Sequence, residues 1–468
     1  MSRDFRVRAA LERQWRELNL NVLLWAVLTS ALGVYWAYLF VQGLQNYCAD
    51  GTLTANICKG GERSLWTAVS GVTASLMLLY MWYARTRQKN AELNMARLDQ
   101  YNRRYAKAID LLGSPERCVR LGAIYTLEQL RKDALHVYGQ PVVETLAAFI
   151  REQSARPSGL GRQQSIAMVN RPTGNARYAT SAWLTSIPED TQAALDVLGR
   201  PPIEARQVDI NLRGVRLRGA RLIKGRFVGA DFENAHFISV DFSDAMLNKA
   251  ALSHSRFSNA NLCRVALAEA TLTSADLRQS QLPKADLSSA RLNKALLQEA
   301  FLEKANLTHA DFSDARLDAA NLNEVHAKYA KFFKSSLNGA QLNQATLSNA
   351  DLRGAVAVAA SLRGAELQAV EGIDAVLKNA DLRCANLQNA KLSNIDLTGA
   401  NLRLVQLQNA DLSESNLQQA DLSGANLNGA HLRAADLRGA CLEKADLRGA
   451  NLAETLFDEN ALSAALVD

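Results

Sequence analysis

The residues of this chain that could do chemistry are few and widely scattered. Its 468 residues include 6 Cys and 6 His, and no Cys or His pair stands at the spacing of a metal site. The sequence also has no glycine-rich phosphate loop and no nucleophile elbow. We therefore expect no catalytic residue, no cofactor and no metal site, and we predict that the protein is not an enzyme.

Short acidic and amide side chains form a more regular pattern. They stand directly before a Leu or Phe at Asp231, Asp241, Asn261, Asp286, Asn306, Asp351, Asn401 and Asp421. Such a series resembles an acidic binding stripe. Short polar groups beside turns, however, hydrogen-bond to the nearby backbone and stack as ladders on neighbouring segments. We therefore interpret these residues as structural.

These residues belong to a five-residue repeat that fills positions 210–457. Of the 50 positions at five-residue steps from Leu212, Leu occupies 39 and Phe occupies 8. The exceptions are Ala327, Ala357 and Gly372. Two residues before each of these positions stands a small residue, mostly Ala. A repeat this regular determines the architecture.

A period of five fits neither a straight helix nor a flat strand. Successive Leu residues would scatter around a helix, and along a strand every second Leu would point to the wrong face. They share one core only if the chain turns a corner every five residues. Of the 13 Gly between 211 and 457, 11 stand two places after the central Leu or Phe, and Gly tolerates turn conformations.

The tandem A-(D/N)-L-x-x pattern closely resembles the pentapeptide-repeat family. The resemblance implies a mainly β fold, a right-handed four-sided β-helix with four repeats in each coil. The central Leu or Phe and the preceding small residue would fill its lumen. About 12 coils at roughly 4.8 Å each make a rod about 60 Å long. The pattern is specific for this fold but not for one function.

On such coils the Cys and His residues stay apart. Cys263, Cys384 and Cys441 fall on one side of the rod, about six and three coils apart. These separations are roughly 29 and 14 Å, so the three thiols cannot share a metal ion. His309 and His326 lie one coil apart but at different positions of the repeat.

Two uncharged segments precede the repeats. Residues 20–41 and 65–83 contain no charged residue and are rich in aromatic side chains. Each is long enough to span a bilayer, and aromatic residues are typical of membrane interfaces. We predict a transmembrane helical hairpin over 20–84, after a basic cytoplasmic N-terminus at 1–19. A signal peptide is the competing interpretation, but no cleavage site follows the first segment.

Basic residues predict the orientation of this hairpin. Residues 85–107 carry seven Lys or Arg against two acidic residues, whereas the loop 42–64 carries two of each. The positive-inside rule then places both termini in the cytoplasm and the loop outside. Cys48 and Cys58 lie in that loop. They would pair in an oxidising compartment, or otherwise remain two free thiols.

The segments between hairpin and repeats have separate patterns. Residues 85–154 predict helices, the last one after Pro141, and resemble the HEAT-like segment of membrane-anchored bacterial pentapeptide-repeat proteins. That resemblance implies the bacterial inner membrane. Residues 155–187 predict a linker. Residues 188–209 predict a cap helix with its junction, and residues 458–468 a C-terminal cap or dimer contact, because the open ends of a β-helix must be covered.

The repeat departs from its pattern in one region. All three exceptions fall between 327 and 372, and apolar residues nearby occupy positions that should face water. These are Tyr329, Phe333, Val356, Val358, Ile373 and Val376. An exposed apolar cluster on a polar rod indicates a contact surface, so we expect an unidentified protein partner there. Tolerated decay of the repeats, or a covering loop, is the alternative.

Charge is uneven along the chain. The net charge is +6, but residues 211–468 carry 28 basic and 29 acidic residues, so the excess lies before the rod. A local basic patch stands at the start of the rod, at Arg213, Arg216, Arg218, Arg221, Lys224 and Arg226. It could contact acidic lipid headgroups. It is too local for nucleic-acid binding, which needs a basic stripe.

Three functions fit these patterns to different degrees. The leading hypothesis is a non-enzymatic membrane-tethered scaffold that presents a rigid cytoplasmic rod to protein partners. It could also form homo-oligomers through the hairpin or the C-terminal cap. A DNA-mimicking topoisomerase (gyrase) regulator is an alternative, although a rod that is nearly neutral argues against it. A sensor-effector that acts through the membrane hairpin is a third.

Overall fold

The computed structural model describes residues 55–155, 187–200, 209–459 and 461–467, and individual helical residues between 28 and 49. The chain divides into two compact units, 1–102 and 103–468. The helices described below supply the first unit and one end of the second. The repeats supply the rest of the second unit.

Four α-helices and one short 3-10 helix lie in the described ranges. They are α1 (Ala55–Leu112), α2 (Arg117–Asp133), α3 (Leu135–Ala155), α4 (Glu189–Gly199) and the 3-10 helix Ala461–Ala464. The third of these begins at Leu135, whereas the sequence predicted a helix only after Pro141. The proline is tolerated inside α3, where its carbonyl accepts a hydrogen bond of 2.8 Å from the Thr145 hydroxyl.

The predicted membrane hairpin is not confirmed. α1 begins inside the predicted loop 42–64 and continues unbroken through 65–83. Within the residues that the structure describes, no helix has a stretch long and apolar enough to cross a membrane. The first predicted span lies mostly outside those residues, as do Cys48 and the side chain of Cys58. Every described residue of the predicted loop 42–64 is helical, because charged residues disfavour a bilayer but not a helix.

Helices α2, α3 and α4 pack on one another into a helical cap within the second unit. Ile124, Leu146 and Leu195, one from each helix, are fully buried. Between α2 and α4, Arg120 Nε donates 2.6 Å to the buried Asp190 carboxylate. A buried carboxylate is stable only when it is paired and hydrogen-bonded. This pair therefore fixes how α4 sits against α2.

The repeats form the predicted β-helix, in which each coil is four repeats long. Parallel bridges join every fifth residue to the one 20 positions later, from Asn211 with Asp231 to Asp446 with Leu466. Along each ladder the backbone alternates its partners: Ala251 N donates to Ala230 O at 2.9 Å and Leu252 N to Thr271 O at 2.7 Å. Each strand is a single bridging residue, because a corner every five residues leaves room for no more.

Every corner is a β-turn whose third residue is left-handed. In the turn that starts at Leu247, Ala250 N donates to Leu247 O at 3.0 Å, and Lys249 has φ of 60°. The same place in the other turns has positive φ, whether it holds Gly or not. A left-handed L-residue costs about 1–2 kcal/mol, so Gly and Asn are favoured there. The corner prediction is confirmed.

The lumen is filled as predicted by the central Leu or Phe and the preceding small residue. Almost all of these side chains are buried. Aromatic rings stack along the axis where they recur, as with Phe312 and Phe332, whose centroids are 5.2 Å apart. The exception at Gly372 is filled from the next coil. A Cβ there would lie 2.9 Å from Leu392 Cδ2.

The helical cap covers the first coil with polar groups in the place of a strand. The side-chain amide of Gln192 in α4 donates a hydrogen bond of 2.6 Å to Arg221 O and accepts one of 3.0 Å from Arg221 N. Gln140 in α3 makes the same double contact with Asp209, at 3.2 Å each. Two glutamine amides thus satisfy backbone groups that would otherwise be an open sheet edge.

The other end of the rod is less covered. After the 3-10 helix the chain returns to the ladder, where Leu466 N donates to Ala445 O at 2.7 Å and Leu447 N to Leu466 O at 2.8 Å. Leu456, Leu466 and Val467 remain exposed. The tail therefore continues the sheet rather than closing the lumen with a helix.

We predict that Gln192→Leu will speed amide hydrogen exchange at Arg221 by about fivefold, which corresponds to the roughly 1 kcal/mol of a lost hydrogen bond. Mass-spectrometric exchange of the peptide around 221 measures this. Gln129→Leu is the matched control, because Gln129 bonds only to Asp133 within α2. Equal exchange in both variants would show that the amide does not act as a strand substitute.

Candidate functional site

One type of Asp–Arg pair recurs on the outward surface of the rod. In five repeats with the sequence D-L-R, the Arg folds back onto the Asp two places earlier. Arg353 Nε lies 2.8 Å and Nη2 2.7 Å from the two oxygens of Asp351. The same two-point pair, here called a clasp, recurs at Asp276–Arg278, Asp381–Arg383, Asp436–Arg438 and Asp446–Arg448. Clasps neutralise the acids locally.

The acidic and amide residues before the central Leu are structural, as predicted. Asp241 accepts a hydrogen bond of 2.9 Å from Ser243 N in its own turn and one of 3.0 Å from Asn261 Nδ2 in the next coil. Hydrogen bonds of this kind stabilise the ionised form. Those from Arg448 lower the pKa of Asp446 to about 2.

The rod has four sides, named here by their first bridging residues: 211, 216, 221 and 226. The predicted partner surface is divided among three of them. Val356, Val358 and Val376 lie on the 216 side, where Val356 and Val376 bridge directly. Phe333 and Ile373 lie on the 211 side. All five are half-buried rather than exposed, so they do not form one exposed apolar cluster.

Tyr329 is the exposed member of the predicted surface. It lies on the 226 side, is 50% exposed and occupies the left-handed corner with φ of 59°. Its ring stacks on His309 of the preceding coil, with centroids 5.0 Å apart and planes 9° apart. The pair forms an aromatic projection beside polar residues that include Lys328 and Asn349.

Sequence reasoning missed three exposed apolar side chains on one side of the rod. Ile223, Phe301 and Leu404 are 49%, 44% and 58% exposed, and all lie on the 221 side. Each occupies an outward-facing position of the repeat. Tyr329 was identified as an apolar residue at a position of the repeat that should face water. The same criterion would have found these three residues if it had been applied outside 327–376.

The predicted basic patch is a ring around the first coil. Arg213 lies on the 211 side, where it pairs with Glu233 at 2.8 Å. Arg221 and Lys224 lie on the 221 side and Arg226 on the 226 side. Arg216 and Arg218 lie on the 216 side and are exposed. The ring therefore presents different charge on each side of the rod.

On the 216 side the ring continues into the next coils. Arg216 bridges to His236, and His236 bridges to Arg256. Burial, together with the charges of Arg256 and Arg216, lowers the pKa of His236. The imidazole is therefore neutral near pH 7, and the positive charge of this stretch comes from arginine.

No catalytic or metal-binding arrangement occurs among the residues that the structure describes. Within them, no group of three or more His, Cys, Asp or Glu side chains could hold a metal ion. Cys118, Cys263, Cys384 and Cys441 are free thiols. The pairing of Cys48 with Cys58 stays a prediction.

Comparison with family models gives two matches. One, described as pentapeptide repeats, covers residues 210–248, 335–370, 380–419 and 415–452. The other, described as a pentapeptide repeat region, covers residues 230–307. Comparison with curated protein sequences found no match.

Solved structures include several similar repeat proteins. HetL, from the cyanobacterium Nostoc sp. strain PCC 7120 and involved in regulating heterocyst differentiation, is 33% identical. The match covers 56% of this chain and 91% of HetL, with a TM-score of 0.19. A thylakoid-lumen protein of Arabidopsis thaliana is 26% identical over 25% of this chain and 69% of its own, with a TM-score of 0.20.

A third similar structure is QnrB1, a plasmid-mediated fluoroquinolone resistance protein. It is 18% identical over 40% of this chain and 91% of its own, with a TM-score of 0.23. The TM-scores are low in all three cases. The likeness to these structures therefore adds nothing to the sequence matches.

We predict that the His236 imidazole titrates below its ordinary pKa, so that it is neutral at pH 7. Arg256→Gln should raise its midpoint, because one of the two neighbouring positive charges is removed. Arg438→Gln, on the same side but remote along the chain, is the control. NMR titration of the imidazole measures both midpoints, and identical midpoints in wild type and Arg256→Gln would contradict the assigned contact.

Proposed function

Because the chain belongs to the pentapeptide-repeat family, we propose that it is a non-enzymatic interaction protein whose rod presents outward side chains to protein partners. Proteins built of these repeats are generally structural or interaction modules. The stacked backbone holds each side chain at a fixed place on one of four sides. A surface of this kind is pre-organised, which reduces the ordering cost of binding.

Tyr329 is the observation that carries this proposal. Among the described left-handed corner residues, only Tyr329 and Leu404 have large apolar side chains. A bulky residue in this conformation is costly, and half of the tyrosine surface stays in water. Stacking on His309 stabilises the folded state by about 0.5–1.5 kcal/mol at most. A residue that breaks a local rule without a folding gain is typical of a binding site.

The tyrosine also has the chemistry of an interface anchor. Tyrosine combines a large apolar ring with a hydroxyl, and it is enriched among residues that dominate binding energy. Stacking on His309 fixes the ring, so little side-chain freedom remains to be lost on binding. On the neighbouring coils the same turn holds the small polar residues Thr308, Ser348 and Asn349, and half of the Tyr329 side chain is exposed.

A DNA-mimicking topoisomerase regulator is the weaker alternative. Mimicry of DNA requires dense, unpaired negative charge on the rod. Here the five clasps pair aspartates with arginines of the same turn, and residues 211–468 carry 28 basic and 29 acidic residues. No observation on this surface favours that function over protein binding.

The proposed function also includes attachment to a membrane. We propose that the uncharged segments 20–41 and 65–83 attach the chain to the bacterial inner membrane as two passes, with both termini in the cytoplasm. A run of apolar side chains supports this, since Leu76, Met77, Leu78, Leu79 and Trp82 are all exposed. An unbroken apolar helix surface is stable only when protein or lipid covers it.

Substitution of Tyr329 by Asn should abolish partner binding and leave the fold intact. Asn tolerates the left-handed corner better than Tyr does. The measurement is photo-cross-linking in cells from a probe placed at Phe333, one turn away. We expect a discrete adduct with the wild-type chain that disappears in Tyr329→Asn.

Ser274→Asn is the matched control, because Ser274 occupies an equivalent left-handed corner on another coil. This variant should retain the adduct, and both variants should melt at the wild-type temperature. An adduct that persists in Tyr329→Asn would sink the proposal that this projection binds a partner.

Thiol labelling of intact cells tests the proposed topology. A membrane-impermeant maleimide should reach Cys48 and Cys58 from outside, after reduction if they are paired. Cys118, Cys263, Cys384 and Cys441 are internal controls and should react only after lysis. Labelling of all six Cys only after lysis would contradict the proposed orientation.

A further inference from the structure

One repeat of the first coil has the opposite charge pattern to the five D-L-R repeats. Where five later repeats have D-L-R, residues 216–218 have R-L-R. In the D-L-R repeats the Arg is held by two hydrogen bonds to the Asp before it, as Arg278 is by Asp276 at 2.9 and 2.8 Å. Arg218 has another arginine in the place of that aspartate. Its usual partner is therefore replaced by a like charge.

The side of the rod supplies no substitute acid for these arginines. Arg216, Arg218 and Arg256 are exposed, and together they are called the arginine stripe below. Among the described residues, none of the three has a carboxylate within ion-pair distance. The next acid on this side, Asp276, already accepts hydrogen bonds from Arg278 and, at 3.1 Å, from Ser258 Oγ.

The geometry of the stripe suits an extended anionic ligand. Arg216 and Arg256 lie on one bridging ladder with His236 between them, which places them two coils or about 10 Å apart. Arg218 lies two residues from Arg216, on the same side of the coil. Three guanidinium groups thus share one flat side within a short distance. Guanidinium groups prefer planar anions that accept two hydrogen bonds at once.

The neighbouring side chains distinguish among anionic polymers. Single-stranded nucleic acids are held by bases that stack on aromatic rings as well as by charge. Besides the three arginines, the outward positions of the first three coils on the 216 side hold His236, Ile238 and small residues, but no Phe, Tyr or Trp. Stable adsorption to a lipid surface combines charge with apolar side chains that enter the bilayer, and the apolar residue of this stretch, Ile238, is half-buried. Carboxylates are the anion that this rod already pairs with arginine.

We propose that the arginine stripe binds an acidic segment of a protein partner, whose carboxylates take the places that aspartates hold in the clasps. This inference deepens the proposed interaction function and rests on it. It adds a second contact surface, on a different side of the rod from Tyr329. Binding at each surface can therefore be tested, and contradicted, independently of the other.

Fluorescence anisotropy with the purified full chain and a labelled peptide of alternating Ser and Asp tests the proposal. Arg216→Asp recreates the sequence D-L-R, so the new aspartate should clasp Arg218 and remove it from the surface. We expect peptide affinity to fall at least tenfold, and binding by the wild-type chain to weaken as salt is raised.

Arg291→Asp is the matched control. Arg291 occupies the same position of its repeat on the 211 side and undergoes the same change in charge. It should bind the peptide within twofold of wild type, and all variants should melt alike. Equal weakening by both substitutions would mean that only net charge matters, and it would overturn the assignment.

Two further arms separate the classes of anion. A single-stranded oligonucleotide and vesicles with anionic phospholipid are titrated under the same conditions. Tighter stripe-dependent binding of either one than of the peptide would overturn the proposal of a protein ligand. Loss of peptide binding in Arg216→Asp, with the Tyr329 cross-link intact, would support the stripe independently. Unchanged peptide binding in Arg216→Asp would overturn the stripe and leave only the Tyr329 surface.

Discussion

The structure depends on a single constraint: one residue in every five adopts a left-handed corner. That corner turns the chain four times per coil and brings each residue over the one 20 positions later. Backbone pairing between coils and burial of the central Leu both follow from it. The corner residues are mostly not Gly, so many turns carry a conformational cost. The continuous ladder and filled lumen offset that cost collectively.

A stacked register of this kind constrains the surface as strictly as the core. Each outward side chain has like-positioned neighbours one coil above and below, so charges that repeat would repel one another. The D-L-R clasps avoid this by pairing opposite charges within one turn. Regular positions are thereby used for stability, and recognition is left to the positions where the pattern changes. Tyr329 and the R-L-R unit at 216–218 are such positions.

Much of the rod can be predicted from the sequence, because its period and its corner residues are explicit. The lumen residues, the turns and the structural use of the Asp and Asn residues all follow from them. The helical part of the predicted loop 42–64 was missed, because the loop was inferred from its place between two uncharged segments, and charged residues disfavour a bilayer but not a helix. The partner surface was treated as one patch, because distance along the chain was considered and the side of the rod was not. Ile223, Phe301 and Leu404 were missed because the search for outward apolar residues was confined to 327–376.

The central claim is that regular positions stabilise the rod and irregular ones recognise partners. The most direct test is a substitution scan of every outward-facing position in 211–457, with thermal stability and cross-linked partner yield measured for each variant. We predict that clasp and ladder residues affect stability alone, whereas losses of partner yield without loss of stability concentrate at irregular positions. Losses of yield spread evenly over the regular positions would contradict the account.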